Sequence, residues 1–312
     1  MRLWLLGAVA VAVGLMGCGG DEFANSNGGG AGGSGGSSGG TGGGGTGGSA
    51  GSAGASGGGG AAGVDSGAGG TGGTAALAVV QASPIKLSMQ DDAANVSFPS
   101  PPSAGNAIVV GITCLGSHQV QGQGDCIIAP GGVTDNQGNT YTRIVQGEVI
   151  PSSYQGARGY IFIAENIGAP AGALVVSVDP EVVVVPSVTH LHMAFGAIEV
   201  SGLATPPSLD AWDSTPSGAA SSTTISTSAS VPNALAVGVL SVRSDDTNLQ
   251  ISAESTWVSH HVHQNNSSGP PGHSLVSRVI TSAGQVSHTW SHDEPTRGST
   301  GIIATFKGAA QN

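Results

Sequence analysis

The chain has 312 residues, of which 9% are charged and 4% aromatic, with 8 basic against 19 acidic residues for a net charge of −11. No cluster of Lys and Arg is present to neutralise phosphates, which excludes nucleic acid as a partner. Three cysteines are an awkward odd number for an exported protein.

Arg2, an apolar stretch from Leu3 to Val13 and small residues before Cys18 make up the three parts of a secretory signal over residues 1–17. The apolar stretch is too short for a permanent transmembrane helix. Leu15-Met16-Gly17-Cys18 resembles the bacterial lipoprotein signal, in which the peptide is cut before the cysteine and the cysteine is acylated. That resemblance implies a mature chain beginning at Cys18, held to a membrane by its lipid. Gly19 stands where an aspartate favours retention at the inner membrane, which implies the outer membrane, facing the periplasm or the cell surface. Two or three acyl chains, at about 0.8 kcal/mol per buried methylene, make such attachment effectively permanent.

Residues 18–75 continue the lipidated cysteine into a tether, with glycine at 29 of the 57 positions from 19 to 75. Such a segment buries too little apolar surface to offset its ordering entropy, so it is expected to be a disordered coil. Its root-mean-square span would be about 40 Å and its fully extended reach about 190 Å. Gly32-Gly33-Ser34-Gly35-Gly36 matches the nucleophile-elbow pattern but has no flanking strand or helix, so it carries no catalytic reading.

From residue 76 to 310 the composition turns to Val, Ile, Ser and Thr. Strands are expected at Ile108–Leu115, Thr140–Val145, Tyr160–Ala164, Ala173–Val178, His190–Val200, Ala234–Val242, Thr256–Val262, Leu275–Thr281, Val286–Trp290 and Ile302–Phe306. Ten such segments between Gly, Pro, Asn and Ser clusters predict an all-β sandwich. The run from Asn106 to Ser117 aligns with Asn233 to Ser244, and Thr140-Tyr141, Ala171-Gly172 and Gly196-Ala197-Ile198 find counterparts in Thr256-Trp257, Ala283-Gly284 and Gly301-Ile302-Ile303. Two related halves, about 76–205 and 206–310, follow from this echo. One jelly-roll-like sandwich is the preferred arrangement and two tandem Ig-like sandwiches the alternative, with Leu203 to Ser222 as the segment between halves.

Val133-Thr134-Asp135-Asn136-Gln137-Gly138-Asn139-Thr140-Tyr141 is the most distinctive motif. Asp135 and Asn136 suit a turn through their side-chain oxygens and Gly138 a positive φ, which specifies a hairpin. Calcium at Asp135 and Asn139 is the competing reading, weakened because only one carboxylate is offered. Together with Gly105-Asn106, Ala164-Glu165-Asn166, Glu199 to Leu203 and Gly301 to Phe306, the motif resembles a family of secreted bacterial β-sandwich domains of surface and extracellular proteins. The resemblance implies fold and exposure, and no catalytic residue. If Cys18 is lipidated, Cys114 and Cys126 remain as a disulfide pair closing a short polar loop, a bridge of about 2–3 kcal/mol.

His190 with His192, and His261 with His263, would each project from one strand face, so two neighbouring strands could offer zinc or copper four imidazoles. The alternative leaves them as solvent-facing or core-edge residues and the chain without a cofactor. His288 and His292 would share a face in the same way. Serine is too abundant for any Ser-His-Asp reading, and Asp91-Asp92, Asp245-Asp246 and Asp293-Glu294 are adjacent pairs that point apart on a strand, so no enzyme is expected. The leading expectation is a surface-anchored adhesion, recognition or structural module on a flexible stalk, meeting a cell-surface protein or glycan. A carbohydrate-binding domain is the alternative, with Trp212 and Tyr154 as stacking platforms, and a hydrolase or His-based metal-binding protein comes behind both.

Overall fold

The computed structural model describes residues 75–89, 93–116, 126–148, 157–182, 191–217, 220–243, 249–264, 271–293 and 298–310. The expected signal, Cys18 and the tether up to residue 74 lie outside these residues, as do Tyr154 and His190. All the regular structure described is strand. In chain order the strands are β1 (Ala78–Ala82), β2 (Lys86–Ser88), β3 (Ala94–Ser97), β4 (Ala107–Gly116), β5 (Cys126–Ile127), β6 (Val133–Asp135), β7 (Thr142–Glu148), β8 (Ala157–Ala164), β9 (Val175–Val178), β10 (Glu181–Val182) and β11 (Leu191–Ser201). They continue as β12 (Leu209–Ser217), β13 (Ser222–Ala229), β14 (Ala234–Val242), β15 (Ile251–Ala253), β16 (Val258–His263), β17 (Gly272–Ile280), β18 (Gly284–His292) and β19 (Ser299–Lys307). The all-β sandwich expected from the patterning is therefore the observed class.

Four sheets stack as layers. A first central sheet runs β1-β11-β4-β8-β7, with β2 also on β11, and a second runs β12-β19-β14-β17-β16. Outside the first lies β3-β9-β6, and outside the second β13-β18-β15; β5 and β10 form a small separate ladder. One core, with Ile108, Val110, Phe162 and Phe195, fills the space between the first outer and central sheets. A middle core, with Val109, Ile161, Ile198, Val237, Leu275 and Ile302, joins the two central sheets. The third, with Ile225, Val276, Trp290 and Ile303, closes the far side.

This layering explains the two kinds of strand sequence. Central strands are covered on both faces, so β8 and β14 are buried at every residue and read as unbroken apolar runs. Outer strands are covered on one face only, and β3 and β18 alternate accordingly. The second central and outer sheets also recruit β12 and the start of β13 from the segment expected to lie between halves. Those strands, LDAWDSTPS and STTISTSA, are so rich in Ser and Thr that their few inward positions, Ile225 and Ala229 among them, give little apolar signal.

The connectivity of the two central sheets repeats: β1, β4, β7, β8 and β11 occupy the places of β12, β14, β16, β17 and β19 in the same chain order. The rims repeat too. Bulges fall on β1 opposite Val200 and Glu199, and on β12 opposite Phe306 and Thr305. On the other rim they fall on β7 opposite Phe162 and Ile161, and on β16 opposite Val276 and Leu275. Each of these edge strands is thereby kinked and its ladder interrupted.

Glycines on the first central sheet let side chains of the second approach closely. A Cβ on Gly111 would meet Leu275 and Val239 at 2.8 Å, and one on Gly147 would collide with Ile302. Gly196 is capped in the same way by the His261 ring. These strand glycines mark close approach between layers rather than turns. At the outer face, Cys114 of β4 and Cys126 of β5 form the disulfide, with Cα atoms 5.7 Å apart.

Candidate functional site

The Asp135 motif is a closed hydrogen-bonded turn but not the expected hairpin: β6 pairs with β9 in the outer sheet and β7 with β8 in the central one, so the turn carries the chain between layers. Oδ1 accepts from the amides of Gln137 (2.9 Å) and Asn139 (3.1 Å), and Oδ2 from Asn139 Nδ2 (2.8 Å) and the Tyr141 hydroxyl (3.0 Å). Both oxygens thus take two protein donors, which uses the acceptor capacity a cation would need. Burial and the facing Asp135 carboxylate raise the Tyr141 pKa, so its hydroxyl stays protonated and donating. Asn136 ties the same turn to β9 through Ala173 O and the Val175 amide, each at 3.0 Å. Gly138 supplies the expected positive φ, 78°.

The histidines gather in two buried groups. In the middle core, strand alternation turns His192 of β11 toward the second central sheet, because Ile198 and Val200 on the same strand belong to that core. His261 and His263 of β16 face back toward it, and His273 of β17, cross-strand partner of His263, joins them. The His261 ring lies over Gly196 and its Nε2 donates to Ser83 O at 2.6 Å. The neutral tautomer then leaves Nδ1 bare of any partner. His273 is fully buried; its Nδ1 lies 2.7 Å from Thr113 Oγ1, which bonds onward to Leu240 O at 3.3 Å, while Nε2 has no partner. The His261 and His273 ring centres are 6.4 Å apart. Among the described residues no group of three or more His, Cys, Asp or Glu is placed to hold a metal ion.

Burial drives these rings toward the neutral form. It pushes the pKa of His261 down against a raising contribution from Ser83 O, and that of His273 well down, aided by the charges of His261 and His263. His260, half-buried with Nε2 2.7 Å from Ser277 Oγ, is lowered to about 4 by burial and by His261.

The second group lies in the core between the second central and outer sheets. His288 is held between Trp257 (4.6 Å) and Trp290 (4.2 Å, edge-on) with no hydrogen-bond partner at either ring nitrogen, and burial lowers its pKa to about 4. Further along β18, His292 Nε2 lies 3.2 Å from Ser299 Oγ and 3.3 Å from Thr223 Oγ1, and those two hydroxyls bond each other. It sets two hydroxyls against one imidazole, as His260 with Ser277 and His273 with Thr113 set one each. Ser299 and Thr223 are both fully enclosed, so a substrate has no route to them.

Two carboxylates order the loops. Glu199 is buried and accepts from Gln81 Nε2 (2.6 Å), the Ser103 amide (2.7 Å) and Asn106 Nδ2 (2.6 Å), fastening β1 to the turn before β4. Glu165 accepts the amide (2.7 Å) and hydroxyl of Ser208 and lines an open cavity of about 260 Å³ with Asn166, Leu203 and Pro206.

Trp212 is the exposed aromatic among the described residues, at 50% accessibility on the rim strand β12, two residues beyond its bulge. Next to it, Asp210 receives the Ser230 amide (2.6 Å) and hydroxyl (2.5 Å) and faces Lys307 Nζ at 3.6 Å. Burial pushes the Asp210 pKa up, but Ser230 and Lys307 together hold it below the ordinary carboxylate value. Tyr141 and Trp257, which occupy equivalent places in the sequence echo, are both buried. His273 and Ser241, buried polar members of the middle core, were missed by pattern reading. The hairpin that pairs His263 with His273 could have found the histidine. No family model, curated protein or solved structure matches the chain.

Proposed function

We propose that this chain is a surface-displayed recognition module: a bacterial outer-membrane lipoprotein anchored through Cys18, whose Gly/Ser-rich tether carries a rigid β-sandwich to its ligand. The observation that carries this reading is the contrast between Trp212 and every other aromatic and titratable cluster described. The Asp135 turn, the histidine groups and the Ser299 cluster are consumed by the fold, whereas Trp212 stands open on a rim fixed by the Asp210–Ser230–Lys307 contacts. Exposed aromatic rings held on rigid strands supply contact area at low entropic cost.

That exposure favours a glycan as the ligand over a purely passive coat role, because a sugar ring stacks on an indole face with hydroxyls directed at neighbouring polar groups. A Cys18→Ser form, kept soluble, is to be applied to an array of bacterial and host polysaccharides and to intact cells. Saturable glycan binding lost in Trp212→Ala supports the glycan reading. Cell binding retained without glycan binding supports adhesion to a protein, and no binding to either overturns the recognition reading.

A further inference from the structure

We propose that the histidine corner of the middle core is an acid-sensitive latch, which clamps the β1–β2 segment and the end of β4 against the second central sheet at neutral pH and releases them in acid. The geometry carries this inference. Ser83, between β1 and β2, is fixed from both sides: its amide and hydroxyl bond the Ala197 carbonyl (2.8 Å) and amide (3.0 Å) of β11, and its carbonyl takes His261 Nε2 of β16. His273 reaches across to Thr113 of β4. The β1–β2 link and one strand of the first central sheet are thus hung on two imidazoles of the second. Each imidazole has a second nitrogen sealed from solvent with nothing to receive a proton's charge.

The surroundings oppose protonation from every side. From β4 the facing group is Thr113; from β11, His192, Ala194 and Gly196; from the β1–β2 link, Ser83; from β14, Ser241, with buried Arg243 two residues on. From β16 come His260 and His263. The charges that act on His273 are those of His261 and His263, all of one sign. A proton on either ring therefore meets desolvation and like charge, and opening the corner to water relieves both. Rings held neutral when closed bind protons when open, so the closed corner is favoured above pH 6.5 and its closed-to-open ratio falls about tenfold at pH 5.5 for each ring so held. This device is independent of what the module binds.

Hydrogen exchange of the full chain at pH 7.5 and 5.5, corrected for the intrinsic pH dependence of exchange, tests the latch. Expected is a loss of protection of about tenfold or more, confined to Ala78–Ser88, the end of β4 from Thr113 to Gly116 and Val258–His263, with β8 and β19 unchanged and full recovery on return to pH 7.5. The double variant His261→Gln, His273→Gln should abolish the pH dependence. Equal protection at both pH values, or the same pH dependence in the variant, overturns the proposal. Should the variant not fold, the wild-type ring resonances decide. Uptake of protons by His261 and His273 in step with opening supports the latch, and uptake with the corner still protected overturns it.

Discussion

The middle core has two ends built on one device and filled with different chemistry. Around Gly147 and Gly159, the first central sheet gives way to Ile302 and Thr300 of the second, and the contact is mainly aliphatic. Around Gly196 the incoming group is the His261 ring, with His273 beside it and nitrogens left unpaired. A missing Cβ makes room in both cases, but one end gains from burial without regard to pH and the other holds only while its rings are neutral. Joining two sheets thus needs no uniform interface; one end can be made permanent and the other conditional.

The largest expected effect breaks the aliphatic end. Ile302→Ala should cost about 2–5 kcal/mol, because the fully buried side chain leaves a cavity beside two glycines that cannot fill it. Urea unfolding should give the same loss at pH 7.5 and 5.5; a difference would mean the two ends are coupled. Next, Gly196→Ala drives a methyl into the His261 ring and should cost about 1–3 kcal/mol at pH 7.5. Its cost should shrink at pH 5.5, where the closed corner is itself less favoured over the open one.

Smaller still, His288→Phe keeps an aromatic between Trp257 and Trp290 while removing two unpartnered nitrogens, and should shift stability at pH 7.5 by less than about 1 kcal/mol. The sign of the pH effect follows from linkage. Folded-state pKa values below 6.5 mean that the unfolded chain takes up more protons, so stability falls as pH drops through 6.5. The fall continues to about pH 4, where His260 and His288 ionise. His288→Phe should therefore make the fall shallower across the whole window from pH 6.5 to about 4, leaving the share contributed by His260 and the His261 corner. Last, Trp212→Ala should leave the unfolding midpoint within about 0.5 kcal/mol of the parent while removing ligand binding.

Strand existence was largely legible, since central strands are long β-branched runs whose burial on both faces writes itself into composition. Register was less so. The sequence echo pairs Ile108 with Leu235, yet Ile108 belongs to the first outer-facing core and Leu235 to the middle core. The bulges correct this by one residue. Ala107 stands opposite Val200 and Leu235 opposite Phe306, each at the bulge of its rim, so Ile108 corresponds to Ala236. A one-residue slip exchanges the faces of a whole strand, and runs such as AIVVGI and ALAVGV look alike in either register. The Asp135 turn was readable because its oxygens and glycine act locally. The meeting of His192, His261 and His273 was not, because it depends on which two sheets face each other, a choice that no single strand records.

The four bulged rims bear on how copies of this protein share space. A regular edge strand offers the next molecule a ready row of donors and acceptors, and crowding would then turn neighbours into a growing ribbon. Here β1, β7, β12 and β16 each break that row with one extra residue. Along the edges of the two central sheets, crowded copies of the folded unit should accordingly not add strand to strand and should remain free to turn individually toward whatever they meet.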